Sequence, residues 1–264
     1  MPVSIAPVAG ANRVTRGAAF WRVALMAGSR IAFLVALAAV LLLLVSGPGT
    51  RLGLWEFPTG FLMMRWSVYL GLAALALTVV HMLVPGLRRR GAGWRAGALV
   101  LGLAAVYIPW QALEKAREVP PIHDITTDTQ NPPAFVAILP RRADAPNPAT
   151  YPGEDVARQQ REAYPDIRSL QLELPPERAF AVALDTAGSM RWEIVAADPA
   201  EGLIEAVATT FWYGFRDDVV VRIRPDELGS RVDVRSASRV GRSDAGTNAR
   251  RIRSFLERLQ QAVE

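Results

Sequence analysis

Apolar residues run almost unbroken from Ile31 to Ser46, and a weaker stretch from Phe20 to Gly28 extends the run. Together they supply the ~20 residues that cross a bilayer. A second run spans about Trp66 to Val84. A third, from about Ala96 to Trp110, reaches full length if Trp94 and Arg95 sit at the interface. A cleaved signal peptide is the competing reading of the first run, but the apolar stretch and its leader are too long and two further spans follow. The pattern predicts an N-terminal segment over 1–30 and a membrane domain of three helices over 31–112.

After Trp110 the pattern changes. A short charged helical tail (Glu114, Lys115, Arg117, Glu118) stops at Pro120-Pro121, which cannot extend a helix. Residues 113–176 then read as a Pro-rich segment with one helix from Glu154 to Ala163. Phe135, Val136, Ile138, Leu139 and Tyr151 make it too apolar for a free linker, so it is expected to wrap a compact domain.

Residues 177–264 read as a helix, four strands and a helix. Pro175-Pro176-Glu177 opens a helix with Phe180, Leu184, Ala187 and Met190 at helical spacing. Two hairpins follow: Trp192–Ala197 with Leu203–Thr210, and Val219–Arg224 with Arg231–Ser238, the second turning through Pro225 to Ser230. Val219, Val221 and Ile223, then Val232 and Val234, alternate with Arg and Asp. That alternation predicts an antiparallel sheet with one buried face. Ile252, Phe255, Leu256 and Leu259 form the stripe of a last helix from about Asp244 to Ala262. The expected fold class is α+β: three transmembrane helices, then a four-stranded antiparallel sheet covered by helices.

Charge sharpens this division. The net charge of +5 would invite a nucleic-acid reading, but up to Gln111 there are ten Arg against Glu56 alone, and from Leu113 onward twenty basic residues face twenty-four acidic ones. The basic excess belongs to the anchor, and no nucleic-acid partner is expected. Arg13, Arg16, Arg22 and Arg30 precede the first span, and Arg88, Arg89, Arg90 and Arg95 crowd the second connection. The first connection holds only Arg51 and Arg65 against Glu56. By the positive-inside rule the Arg-rich segments face the cytoplasm. This predicts a multi-pass inner-membrane protein with a cytoplasmic N-terminus and a periplasmic, extracytoplasmic C-terminal domain. The spans contain His81 but no acidic partner for it, which argues against a proton relay.

The absence of Cys excludes disulfides, thiolate catalysis and Cys-ligated metals. No nucleophile elbow, His-Glu-x-x-His helix, phosphate loop or dinucleotide fingerprint occurs, and no cofactor is assigned. Three patterns could carry chemistry. Ile122-His123-Asp124-Ile125-Thr126-Thr127-Asp128 sets the domain's one His beside two carboxylates, which could hold a divalent metal with Asp217 or Asp218 brought in by the fold, although turn capping by these side chains is the favoured reading. Phe211-Trp212-Tyr213-Gly214-Phe215, followed by Arg216-Asp217-Asp218, is a binding or interfacial loop if exposed and core if paired; the core reading is favoured. The turn from Ser236 to Asn248 gathers Arg239, Arg242, Ser243, Asp244 and Asn248 at a helix N-terminus, a setting that can grip an anion. Capping by Ser243 or Asp244, with Arg239 paired to Asp217 or Asp218, accounts for the same residues.

Pro121-Ile122-His123-Asp124-Ile125-Thr126-Thr127-Asp128 with Asn131-Pro132-Pro133-Ala134-Phe135 resembles the opening signature of a bacterial and plastid family of unknown function, number 1499 in the usual naming. Trp192-Glu193-Ile194-Val195, Phe211 through Val219, and Arg235 through Asp244 resemble its later segments. The resemblance covers roughly Pro120 to Leu259 and carries no activity or catalytic residue with it. The expected function is therefore a membrane-anchored extracytoplasmic binding or scaffold module, held in lipid by its helices and recognising a lipid, envelope component or protein partner. Its candidate ligand-binding residues are Arg239, Arg242, Ser243, Asp244, Asn248, Trp212, Tyr213 and Arg216. The alternative is an envelope hydrolase, metal-assisted through His123, Asp124, Asp128, Asp217 and Asp218.

Overall fold

A computed structural model describes residues 11–84 and 91–264, with residues 11–26 described in backbone only. Arg88, Arg89 and Arg90, which enter the orientation argument, lie outside the described residues. The chain divides into two compact units after Ala112.

The first unit consists of α1 (Ala11–Arg51), α2 (Phe57–Leu83) and α3 (Ala92–Arg117). Each contains a stretch long and apolar enough to cross a membrane, within Ala27–Arg51, Phe57–Leu83 and Ala92–Arg117. The helix α1 begins well ahead of the Ile31 apolar run. In lipid, association relies on close backbone approach rather than on apolar burial, so small residues face inward. Ala32, Ala36, Ala74 and Ala98 form the contact cluster. A Cβ added at Gly71 would meet Ala105 Cβ and Gly102 O at 3.1 Å, so α2 and α3 cross there with no room to spare. His81 packs against Gly28, and its Nδ1 lies 2.7 Å from Leu77 O.

The second unit contains, in order, β1 (Asp124–Thr126), a 3-10 turn (Leu139–Arg142), α4 (Glu154–Ala163), β2 (Leu170–Leu172), α5 (Pro176–Ser189), β3 (Glu193–Asp198), β4 (Leu203–Thr209), β5 (Arg216–Asp226), β6 (Gly229–Ser238) and α6 (Thr247–Val263). The sheet is antiparallel, as the alternation implies, but it has six strands rather than four. Its order is β1-β6-β5-β4-β3, with β2 also on β6. The Pro-rich segment supplies the two extra strands, which share the outer edge of β6. Between them Thr127 continues the pairing, its N–H donating to Val234 O and its hydroxyl accepting from Val234 N. Gln160 of α4 then closes the edge of β1, accepting from Thr126 N–H at 3.0 Å and donating to Thr126 O. A side-chain amide thus occupies backbone groups that would otherwise recruit another strand.

The β5–β6 turn is also tighter than expected. Pro225 pairs with Ser230 and Asp226 with Gly229, leaving Glu227 and Leu228 as the turn. Pro225 is tolerated because β4 pairs with β5 only as far as Arg222.

Both faces of the sheet are buried, which corrects the one-sided expectation. On one face Ile204, Ala206, Val219, Val221, Ile223, Val232 and Val234 meet Phe180 of α5 and Ile252, Phe255 and Leu259 of α6. Just after α5, Arg191 adopts a left-handed conformation (φ 58°), which turns Trp192 onto Phe255 at 5.1 Å between ring centroids. On the other face the Pro-rich segment lays Phe135 and Ile138 over Val207, Val220 and Ala237. The Arg and Asp residues that alternate with the valines therefore lie beneath a cover. Glu205, Asp218, Arg222, Asp233 and Arg235 are all buried.

Candidate functional site

Burying charge is costly unless each charge finds a partner, and the covered face meets that condition. Arg235 donates to both oxygens of Asp124 at 3.0 and 2.7 Å and to Pro133 O and Ala149 O. Its guanidinium lies 4.7 Å from the Phe135 ring centroid and 5.5 Å from that of Tyr151. Burial, and next the Asp124 carboxylate, push the Tyr151 hydroxyl up to about 12. Arg222 and Arg231 converge on Asp233 and Asp128. Burial opposes ionisation of Asp233, but hydrogen bonds from Ser169 and Arg222, with the Arg222 and Arg231 charges, outweigh it and hold the carboxyl below its ordinary value. Glu205 has no basic partner among the described residues; its oxygens accept the N–H groups of Val136, Ala137 and Ile138 at 3.0, 2.8 and 3.0 Å.

The residues of the metal-assisted alternative are thus dispersed among cations. Asp124 is held by Arg235, Asp128 by Arg222 and Arg231, Asp217 by Arg251, and Asp218 by Arg142 and Arg239. Among the described residues no group of three or more His, Asp or Glu side chains is placed to hold a metal ion. The geometry lends that alternative no specific support.

The strand-to-helix turn divides into supporting and available residues. Arg239 grips Asp218 through Nε and Nη2 at 3.0 and 2.7 Å. Asn248 ties α6 to the sheet, donating to His123 O and Ser238 Oγ and accepting from Ser236 Oγ. Asp244 accepts from Gly246 N–H and Asn248 N–H at the start of α6. Burial pushes its carboxyl above the ordinary range despite those two donors. Ser243 Oγ accepts from Ala245 N–H. Arg242 is exposed and makes no ion pair with the described residues.

Arg242 lines a cleft of about 240 Å³ together with His123, Asn147 and Gln159. Pro121, Pro152 and Val156 contribute its apolar wall. Asn147 is fixed by donating to Ser238 O and Gly241 O at 3.0 and 2.9 Å. His123 Nδ1 is buried without a hydrogen-bond partner among the described residues, a rare condition for a polar atom. A guanidinium, an imidazole and two amides around one cleft are suited to an anionic or hydrogen-bond-accepting group. Asn147 and Gln159 have no sequence signal as site residues, because only the path of the Pro-rich segment brings them beside His123.

The aromatic segment corrects the core reading. Phe211 is 84% exposed and Trp212 36%, while Tyr213 stacks on Phe215 at 5.6 Å. Trp212, Tyr213 and the exposed Arg216 do not line the cleft.

Residues 124–259 match the model of DUF1499, described as a protein of unknown function, and the chain belongs to that family. No curated protein matches the chain.

Proposed function

We propose that this member of the family is a membrane-anchored, extracytoplasmic binding module, whose soluble unit takes an anionic group of a lipid or envelope component in the cleft between the Pro-rich segment and the β6–α6 turn. The observation that carries this reading is that Arg242, which has no carboxylate partner among the described residues, lines one cleft with His123, whose buried Nδ1 has no hydrogen-bond partner among them. The buried Arg142, Arg222 and Arg235 of the same unit are by contrast each committed to a carboxylate. The three membrane-length helices support the anchor, and the Arg asymmetry of the connections supports the extracytoplasmic placement.

Native mass spectrometry of the full-length protein, extracted in mild detergent, tests the reading. A bound species that co-purifies with the wild type and is depleted in Arg242→Gln is the expected result. A wild type that carries no bound species, or one retained equally by Arg242→Gln, would overturn it.

A further inference from the structure

We infer that the Phe211–Phe215 loop seats in the headgroup boundary of the lipid bilayer. The inference stands on the loop and the tether and is independent of what the cleft binds.

The loop is shaped to present its aromatics rather than to hide them. Thr210 accepts through its carbonyl from Gly214 N–H and through its hydroxyl from Phe215 N–H, and donates its own N–H to Phe215 O. Gly214 adopts φ 71°, a conformation that favours glycine, and this closes the turn. A braced loop that holds Phe211 and Trp212 outward loses little further freedom on binding, which favours insertion. Trp suits the boundary, where its aromatic body meets lipid and its indole N–H meets water, and Phe adds purely apolar surface beside it. Arg191 and Arg216 are exposed at the same end of the sheet, in position to meet lipid phosphates.

The tether selects a bilayer as the occupant. Helix α3 ends at Arg117, and Val119 already packs on the soluble core, so one residue separates them. The chain then enters the sheet beside the loop: β1 starts with Asp124 opposite Ala237, and Asp217 and Ser238 form the neighbouring pair on β5 and β6. At ~4.8 Å per strand, β1 lies roughly 10 Å from β5 at the end where the loop emerges. A surface this near a short tether meets lipid at high effective concentration, so each aromatic contact needs little intrinsic affinity.

The chain has no Cys, so Phe211→Cys offers a single labelling position. Leu228→Cys is the control, since Leu228 is exposed at the β5–β6 turn, the opposite end of the sheet. Each variant of the full-length protein is labelled with an environment-sensitive fluorophore and reconstituted into vesicles of phosphatidylcholine and phosphatidylglycerol, with and without a shallow spin-labelled lipid. The position-211 label is expected to emit to the blue of the position-228 label and to be quenched several-fold more strongly by the spin-labelled lipid. Aqueous emission at position 211, or blue-shifted emission that the spin-labelled lipid leaves unquenched, would overturn the inference, the latter by assigning the loop to a protein contact.

Discussion

Arg235 on β6 lies opposite Thr126 on β1 and reaches diagonally to Asp124, which it meets through two hydrogen bonds of 3.0 and 2.7 Å, both side chains buried to within a few percent. The pair explains why a carboxylate follows His123. Asp124 anchors the first residue of the sheet where the chain arrives from α3, and its partner also collects the carbonyls of Pro133 and Ala149 from the covering segment. One guanidinium thus joins the edge strand, a central strand and the cover.

Replacing Asp124 with Asn leaves the Arg235 charge buried and poorly compensated, a change that typically costs about 3–5 kcal/mol. Hydrogen exchange of the full-length protein should show a large loss of protection in β1 and β6. Asp124→Leu combined with Arg235→Met should recover much of it, because an apolar pair removes the stranded charge. A single variant as protected as the wild type would mean that the pair contributes little.

Glu205 makes a different kind of tie. Its carboxylate accepts from three consecutive amides of the covering segment, and charge-assisted bonds of this kind are stronger than neutral ones. Glu205→Ala should loosen Val136, Ala137 and Ile138 selectively, with exchange at these amides rising at least tenfold while α5 and α6 stay protected. Equal exchange in both proteins would show that Phe135 and Ile138 hold the segment by apolar packing alone.

These two ties mark where local sequence pattern stops being informative. The valines of β5 and β6 reveal the helix-covered face because their period of two is a local property. The same period places Arg222, Asp233 and Arg235 on the other face, where a local reading assigns them to water. Whether that face is wet depends on a Pro-rich segment far away in the chain, for which periodicity carries no signal. Strands β1 and β2, at three residues each, are too short for alternation to register. In the aromatic run, four aromatics in five residues fit a paired core strand and an exposed loop equally well, and only the fold decides between them. Arg242 was legible as part of a donor-rich turn, and Arg239 as an ion-pair partner of Asp218. The cleft itself was not, since Asn147 and Gln159 acquire their place only through the fold of the cover.

The Asp233 cluster predicts an acid limb of stability. Its pKa is lower in the folded protein than in the unfolded chain. The ionised carboxylate therefore stabilises the fold above the unfolded value of roughly 4, and that contribution is lost as pH falls through the folded value. The thermal midpoint of the soluble unit, followed in the full-length protein by near-ultraviolet circular dichroism, should fall as pH drops below about 4. Asp233→Asn should start lower at neutral pH and lose less on acidification. A parallel acid limb in the variant would assign the effect to other carboxylates.

The two arginines of the β6–α6 turn predict opposite phenotypes from the same substitution, although they are only three residues apart. Arg239 is largely buried and shares Asp218 with Arg142, so Arg239→Ala withdraws one of two cations from a carboxylate with no measurable exposure. Breaking such a pair destabilises by about 3 kcal/mol or more unless the remaining partner compensates, and Arg142, which already donates to Asp218 and four carbonyls, is held in place. Arg242 is exposed and has no ion pair among the described residues, so Arg242→Ala should change stability by less than about 0.5 kcal/mol. Thermal unfolding of the two variants should therefore separate them clearly, with Arg239→Ala melting several degrees below the wild type and Arg242→Ala close to it. Retention of the co-purifying species should sort them the other way, with Arg242→Ala depleted and the folded fraction of Arg239→Ala still loaded. A folded Arg239→Ala protein that loses the bound species while Arg242→Ala keeps it would move the binding surface from the cleft to the Asp218 end of β5.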